Sequence, residues 1–321
     1  MSYPKTIFVT GCAGFIGSNF VKEFKRRFPK IKIVGIDDFS TGRRESLDRG
    51  VKFYEGSVTD LKLLDKIFKK HRPEYVFHFA AVPRVAYSVE RPTETTVANI
   101  TGTVALLEKS RDYKVRRFIY SSSSSVYGGA KILPTREDEN HPRPVSPYGL
   151  QKYVGEPFCR IFSDLYGLDT VSLRYFNVFG PGQYGGSAYA TVVCSWLEGL
   201  FLGGKNPFLE SDGRQSRDFC YVENAVHANI LAMLAKGRFN GEAINIAHGE
   251  RTDLLTVKRL IEKYAGRKLN VERRSARLGD VRHTHADISK ARKLLGYKPQ
   301  VDFEAGLRKT IEWFEERASR K

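Results

Sequence analysis

A doubly wound parallel α/β sheet with a smaller, less regular C-terminal lobe is the fold class this sequence predicts. Three observations predict it. Short β-branched or aromatic runs alternate with stretches of helical periodicity through the first 175 or so residues. The first run ends in a glycine-spaced turn that opens a helix. Beyond about residue 180 the periodicity loosens among Gly-Pro-Gly at 180–182, Gly-Gly at 185–186 and 203–204, and Asp212-Gly213.

Taken in order, Ile7-Phe8-Val9 forms the first strand and Thr10-Gly11 ends it. Phe15, Ile16, Phe20, Val21 and Phe24 then recur at helical spacing. Ile31 to Ile36 is a second apolar run, stopped by Asp37-Asp38. Leu61 to Phe68 reads as helix, Tyr75 to Ala81 as a third buried strand, Val97 to Leu107 as helix and Arg117 to Ser121 as a fourth strand. A long helix follows from Ser146, a suitable N-cap, with Pro147 at the first helical position, where its missing N–H costs nothing. Pro157 inside that pattern predicts a kink. Thr170 to Tyr175 is a further strand, and the chain shows neither an internal repeat nor a low-complexity linker.

Composition bounds the function. With 321 residues the chain suffices for one large domain or two ordinary ones, and 41% hydrophobic against 28% charged residues excludes a disordered chain. The 53 Lys and Arg against 36 Asp and Glu leave a net charge of +17, a field that favours anionic partners. These charges are scattered, with only short clusters such as Lys25-Arg26-Arg27 and Arg273-Arg274, so a solvated basic surface is expected rather than nucleic-acid binding. Cys12, Cys159, Cys194 and Cys220 are far apart and form no C-x-x-C or Cys/His cluster. Neither a metal site nor a disulfide framework is expected, and a reducing compartment suits them. No 18-residue apolar run occurs, and the first strand is too short for a signal-peptide core. The expectation is a soluble, cytoplasmic protein with no membrane partner.

Gly11-x-x-Gly14-x-x-Gly17, with Phe15 and Ile16 inside it, lies between a strand and a helix. There bare backbone can approach a pyrophosphate, whose charge the helix N-terminus stabilises. This is the Rossmann-type arrangement. Asp37 follows about 20 residues later at a strand end, where an acid bonds ribose hydroxyls, and Asp38 beside it would repel a 2′-phosphate. The pair predicts NAD rather than NADP, a solvated acidic turn being the plainer alternative. Tyr148 and Lys152 stand four apart near a helix start and project from one face. A phenol with a pKa of ~10 becomes a usable acid/base when a nearby ammonium and a cationic nicotinamide favour its anion. Ser121 to Ser125 sit at the end of the fourth strand, where such sheets present catalytic groups; Ser122 reads as part of a polar loop.

In this order the motifs resemble those of the extended short-chain dehydrogenase/reductase family, over nearly the whole chain from Thr10-Gly11 to Leu295-Gly296-Tyr297. The resemblance is closest to nucleotide-sugar 4-epimerases, especially the UDP-N-acetylglucosamine 4-epimerase group. It is carried by Phe79-Ala80-Ala81, Ser123 to Gly128, Ser146-Pro147-Tyr148-Gly149, Arg174 to Gly180, Ser216-Arg217-Asp218-Phe219 and Gly279-Asp280-Val281-Arg282-His283. It implies catalytic roles for Ser123, Ser125, Tyr148 and Lys152, NAD contacts at Ser40, Thr41, Gly42, Ser57, Val58, Phe79, Ala80, Ala81, Pro83, Ser121 and Tyr175, and, on the cofactor side, Asn99 as the family's structural asparagine near the active site. Pro83 departs from the lysine of some members.

For the UDP-sugar, the resemblance implies Asn177, Arg217, Arg277 and Asp280 at the diphosphate and ribose, with Tyr189 also on the substrate side. Phe208 is a candidate partner of the uracil ring or a core phenylalanine, and Arg84 a sugar contact or a surface arginine. Thr284 stands where a tyrosine marks glucose-only enzymes, which leaves room for an N-acetyl group.

The implied reaction is NAD-dependent 4-epimerisation of UDP-N-acetylglucosamine/UDP-N-acetylgalactosamine through a 4-keto sugar, with UDP-glucose/UDP-galactose as further substrates and UDP-glucuronate 4-epimerisation as the runner-up. A 4,6-dehydratase needs an Asp-Glu pair where Ser124 and Ser125 stand. The related decarboxylases usually carry a glutamate at the position of Ser125. A non-catalytic NAD-sensing or nucleic-acid-binding protein on this fold is the alternative of another class, disfavoured because Tyr148 and Lys152 are both present. Residues 1–176 plus about 216–246 are expected to form the NAD-binding domain and 177–215 with 247–321 the UDP-sugar lobe. A homodimer is expected.

Overall fold

The computed structural model describes residues 3–83, 85–184, 191–203, 207–210, 212–274 and 281–320. Its centre is a seven-stranded, wholly parallel sheet of β1 (Thr6–Thr10), β2 (Lys32–Asp37), β3 (Lys52–Glu55), β4 (Tyr75–His78), β5 (Arg117–Ser123), β6 (Thr170–Tyr175) and β7 (Glu242–Ile246). The order across the sheet is β7-β6-β5-β4-β1-β2-β3. The order reverses between β1 and β4, and a crevice opens at the carboxyl ends of the strands beside such a reversal.

Helices cover both faces, so every residue of β1 and of β6 is buried, the apolar Ile7-Phe8-Val9 of β1 and the polar Thr170, Ser172 and Arg174 of β6 alike. The helix Phe15–Arg27 turns Phe20, Val21 and Phe24 inward, where they meet Phe77 and one another. Each fully buried phenylalanine contributes roughly 1.5–3 kcal/mol.

Two strands of this sheet escape sequence reading, and both are edges. Lys52–Glu55 is half-exposed and carries no apolar run. Glu242–Ile246 mixes a glutamate and an asparagine with its apolar residues. The stretch from Tyr75 also ends its pairing at His78, so Phe79 to Ala81 leave the sheet.

The expected helix from Val97 is corrected in form. Pro92–Thr96 is α-helical, Val97–Thr101 widens into a π-turn, and Gly102–Asp112 resumes the α-helix. The extra residue presents Asn99 to the cleft-side loop, where its side chain accepts from Val82 N (2.7 Å) and donates to Val82 O and to Gln151 Oε1.

The long helix Pro147–Tyr166 begins as expected: Ser146 Oγ accepts from Gly149 N at 3.1 Å and Pro147 is the first helical residue. It continues through Pro157 to a left-handed Gly167. After Phe176 the pieces shorten. Val178–Phe179 pairs with Cys220–Tyr221, Ser216–Arg217 with Thr252–Asp253, and Phe208–Glu210 with Glu272–Arg274. The four cysteines are buried and unpaired. Among the described residues no helix is long and apolar enough to cross a membrane, and no group of His, Cys, Asp or Glu could hold a metal ion.

Candidate active site

At the switch between β1 and β4 lies a cleft of about 1020 Å³, at the upper end of the ~300–1,000 Å³ usual for one small ligand. Gly11, Gly14, Phe15, Ile16 and Gly17 form its floor. Gly11 sits at φ +67, and a Cβ there would come within 2.7 Å of Ala80 N; one at Gly17 would overlap the Gly11 carbonyl oxygen. The helix Phe15–Arg27 starts from Gly14 with no side-chain cap and no acid in its first turn. Its first N–H groups are thus left for an anion.

Asp37 is buried at the end of β2, its carboxylate accepting from Ala13 N and Phe39 N at 2.9 Å each. Burial pushes its pKa up, and those two N–H groups pull against it. Asp38, Ser40, Thr41 and Gly42 complete this rim, and Ser57, Val58, Phe79, Ala80, Ala81 and Pro83 line the cleft beyond it. A bare glycine turn, an uncapped helix start and an acid at the ribose position fit a dinucleotide.

The other wall carries the hydroxyls. Ser123 caps the short turn Ser124–Tyr127, and its Oγ accepts from Ser125 N (3.2 Å) and Ser125 Oγ (2.8 Å). The helix Pro147–Tyr166 presses close here, since a Cβ on Gly149 would come within 2.7 Å of the Ser125 carbonyl. That approach brings Tyr148 and Lys152 into the cleft with Ser121, Ser123 and Tyr175. Lys152 Nζ donates to Ser121 O at 2.8 Å, and Ser121 Oγ and Tyr175 OH lie 3.3 Å apart.

Without a cofactor the site leaves both groups, Tyr148 and Lys152, poorly ionised. Burial pushes the Tyr148 phenol up to about 12, opposed by the Ser123 hydroxyl, with no relief from Lys152. Burial also pulls the Lys152 ammonium down to about 7. In the protein alone desolvation dominates both groups, and Lys152 gives one of its three N–H groups to the Ser121 carbonyl.

Lys152 has a measurable consequence. Its folded pKa lies below the usual 10.5, so between about pH 7 and 10.5 the unfolded chain binds more protons. Stability therefore rises with pH across that window and is lost as pH falls through it. Melting temperatures of wild type and Lys152→Met, measured from pH 6.5 to 10, are expected to shift in favour of wild type as pH rises; a constant difference would overturn the assignment.

On the substrate side, Asn177 and Thr284 line the cleft. Asn177, at φ +33, donates from Nδ2 to Asp218 O and Thr284 Oγ1, both at 3.0 Å. Asp218 gathers this wall: its N–H donates to Thr284 Oγ1, and its carboxyl accepts from the N–H groups of His248, Gly249 and Ala286. Burial pushes its pKa up to about 7.

Three further expected residues lie as follows. Asn99 is buried beneath the cleft and holds Val82 and Gln151. Phe208 is half-buried under the Arg274 guanidinium, 4.3 Å from its ring centre, and does not line the cleft. Nor does Arg217, which donates to Ser216 O and Arg282 O. Arg84, Tyr189, Arg277 and Asp280 lie outside the described residues.

The cleft also takes in Arg43, Tyr184 and His283, which sequence reading missed. Arg43 stacks 3.5 Å from the Tyr184 ring centre, and His283 Nδ1 meets Ser216 Oγ at 2.8 Å. The quoted motif ending in His283 held the only signal for any of them.

Fold and cleft together define a dinucleotide-dependent α/β enzyme, with its chemistry at the carboxyl edge of the sheet. The chain belongs to the NAD dependent epimerase/dehydratase family, whose profile matches residues 7–247. The structure is similar to that of a UDP-glucose 4-epimerase from Thermotoga maritima, solved with UDP-glucose (TM-score 0.91, 39% identity, 97% of this chain and 99% of that one). It is also similar to a UDP-N-acetylglucosamine 4-epimerase from Methanobrevibacter ruminantium, solved with UDP-N-acetylmuramic acid (TM-score 0.90, 34% identity, 98% and 100%). A UDP-glucuronate 4-epimerase of Thermodesulfobacterium geofontis is 33% identical over 96% of this chain and 95% of its own.

Proposed function

We propose that this NAD-dependent UDP-sugar 4-epimerase interconverts UDP-N-acetylglucosamine and UDP-N-acetylgalactosamine, and accepts UDP-glucose and UDP-galactose beside them. The observation that carries the substrate choice is Thr284. Its small side chain lies at the cleft wall, held by Asn177 and the Asp218 N–H, where a larger residue would fill the space beside the sugar.

In this reading 1–176 with about 216–246 hold NAD, and 177–215 with 247–321 hold the UDP-sugar. The glycine turn and the uncapped helix start take the pyrophosphate, and Asp37 the adenosine ribose. Lys152 holds the nicotinamide ribose. When bound, NAD takes the hydrogen at C4 with its electron pair and gives it back. Tyr148, with Ser123 at its side, accepts the proton of the 4-hydroxyl and later returns it. The 4-keto sugar turns over between the two transfers, so both faces of C4 meet one proton carrier.

The helices around Val97 and Leu150 pack against each other and leave Val97, Leu150, Ile161 and Leu165 exposed, which supports pairing with a second copy. UDP-glucuronate 4-epimerisation is the second reading, favoured by the relatives that bear that name.

The test is to supply UDP-N-acetylglucosamine, UDP-glucose and UDP-glucuronate separately and resolve the C4 epimers by NMR. Turnover of the N-acetylated sugar supports the proposal, and turnover of UDP-glucuronate alone overturns the substrate. Thr284→Tyr is expected to lower kcat/KM for the N-acetylated sugar at least tenfold relative to UDP-glucose, since a misfit of a few atoms is worth about 1–3 kcal/mol.

A further inference from the structure

Directly behind the serine strand end lies a buried ion pair that the proposed chemistry does not use. Arg174, on β6, grips Glu156, on the long helix, with both arms of its guanidinium: Nε to Oε1 at 2.9 Å and Nη2 to Oε2 at 2.6 Å. Both side chains are 6% exposed. The pair is not closed on itself. Ser122 Oγ donates to Glu156 Oε1 at 2.6 Å, and Arg174 Nη1 donates to Tyr127 OH at 2.7 Å. Tyr127 OH in turn donates to Asn245 Oδ1 on β7 at 2.8 Å.

Ser122 and Tyr127 line the cleft themselves, and Glu156 and Arg174 adjoin residues that do. Ser122 lies between Ser121 and Ser123. Glu156 is one helical turn beyond Lys152, Arg174 precedes Tyr175, and Tyr127 closes the turn that Ser123 caps. The three elements that carry the proposed proton carrier and its helpers are thus fastened from behind by charge-assisted hydrogen bonds, which are shorter and stronger than neutral ones. Apolar packing of similar volume would hold the core as well as a buried ion pair does, so stability alone does not account for one.

We propose that Ser122, Glu156 and Arg174 are positioning residues for C4 epimerisation: their network fixes the spacing of Ser123 and Lys152 across the strand–helix seam and so sets the turnover rate. The inference rests on the function proposed above. It turns the polar-loop reading of Ser122 into a specific task.

Ser122→Ala removes one oxygen and leaves the ion pair intact, so folding is not at stake. In NAD-loaded enzyme turning over a UDP-sugar, kcat is expected to fall roughly tenfold, a fraction of the ~100-fold that an ångström of misplacement can cost. KM and NAD content are expected to stay within error of wild type, and the melting temperature to fall by a few degrees for the one lost hydrogen bond to a charged group. Unchanged kcat would overturn the proposal.

The double variant Glu156→Leu/Arg174→Met replaces the pair by apolar groups of similar size. Folded and NAD-loaded, it is expected to lose kcat by a larger factor than Ser122→Ala, whereas wild-type kcat would reduce the pair to core filling. If wild type turns over none of the three sugars, the functional reading fails on its own. A crystal structure of Ser122→Ala then decides the present point: a Lys152 Nζ to Ser121 O distance held at 2.8 Å and an unmoved Ser123 would overturn it.

Discussion

Tyr148→Phe is expected to lower the epimerisation rate by roughly 10²–10⁴, the range that a positioned proton carrier supplies. The ring stays, so the half-buried packing at the head of the long helix stays with it, and NAD content and melting temperature are expected to be unchanged. The loss belongs to a single oxygen, whose proton burial makes hard to remove: alone in the protein, the phenol is pushed up to about 12. The Ser123 hydroxyl lowers that value, and Lys152 keeps two N–H groups beyond its bond to the Ser121 carbonyl. The remaining positive charge must come with the cofactor. The acid limb of log kcat against pH is accordingly expected to lie well below 12 in the NAD-loaded enzyme. Wild-type turnover by the phenylalanine variant, followed by NMR of the C4 epimers, would remove Tyr148 from the mechanism.

Gly17→Ala is expected to abolish NAD retention. Its new methyl group would occupy the space of the Gly11 carbonyl oxygen, and that carbonyl accepts the Gly14 N–H that shapes the turn. Neither group is a flexible side-chain tip, so the overlap is relieved only by moving the turn or the helix start. Either movement disperses the uncapped N–H groups that would hold the pyrophosphate. Protein purified from this variant is expected to carry less than a tenth of the wild-type NAD content and to bind added NAD at least 100-fold more weakly, by about 2.7 kcal/mol or more. Gly14→Ala separates fold from ligand: its Cβ would find the same carbonyl at 3.2 Å, a contact that a shift of a few tenths of an ångström absorbs, so NAD lost there is lost to a methyl group in the path of the pyrophosphate. Equal NAD content in wild type and Gly17→Ala would show that the turn does not hold the dinucleotide.

The parts of fold and site that sequence reading reaches are those whose physics is local. Ile7 to Val9 is buried on both faces and apolar throughout, and Thr170 to Tyr175, also buried, carries the β-branched and aromatic Thr170, Val171 and Tyr175 that mark a strand. Lys52–Glu55 lies at an edge with half its surface in water and has no pattern to offer. Glu242–Ile246 hides its asparagine in a bond from Tyr127, a partner 118 residues away. Glycine spacing, Asp37, the serine run and the Tyr-Lys pair are legible because each motif acts within a few residues of itself.

Arg43, Tyr184 and His283 become neighbours of the cleft only through the folded path of the chain. Glu156 and Arg174 were invisible for another reason. Charged residues on a helix and a strand read as solvent-facing, and nothing local reveals that each is the other's counter-ion.

The π-turn at Val97–Thr101 constrains the protein in length as well as in composition. It holds one residue more than an α-helical path would, and each residue of a helix turns the chain by about 100°. Deleting any one of these five would straighten the helix and rotate everything before it by that angle. Thr95, buried and bonded to Gln151, would swing out of its place, and Asn99 would lose Val82. Many single substitutions at the exposed positions here leave the geometry alone; a one-residue deletion does not. Insertions and deletions are therefore expected to be purged from this stretch far more strictly than changes of side chain, so that its residue count is inherited more faithfully than its letters.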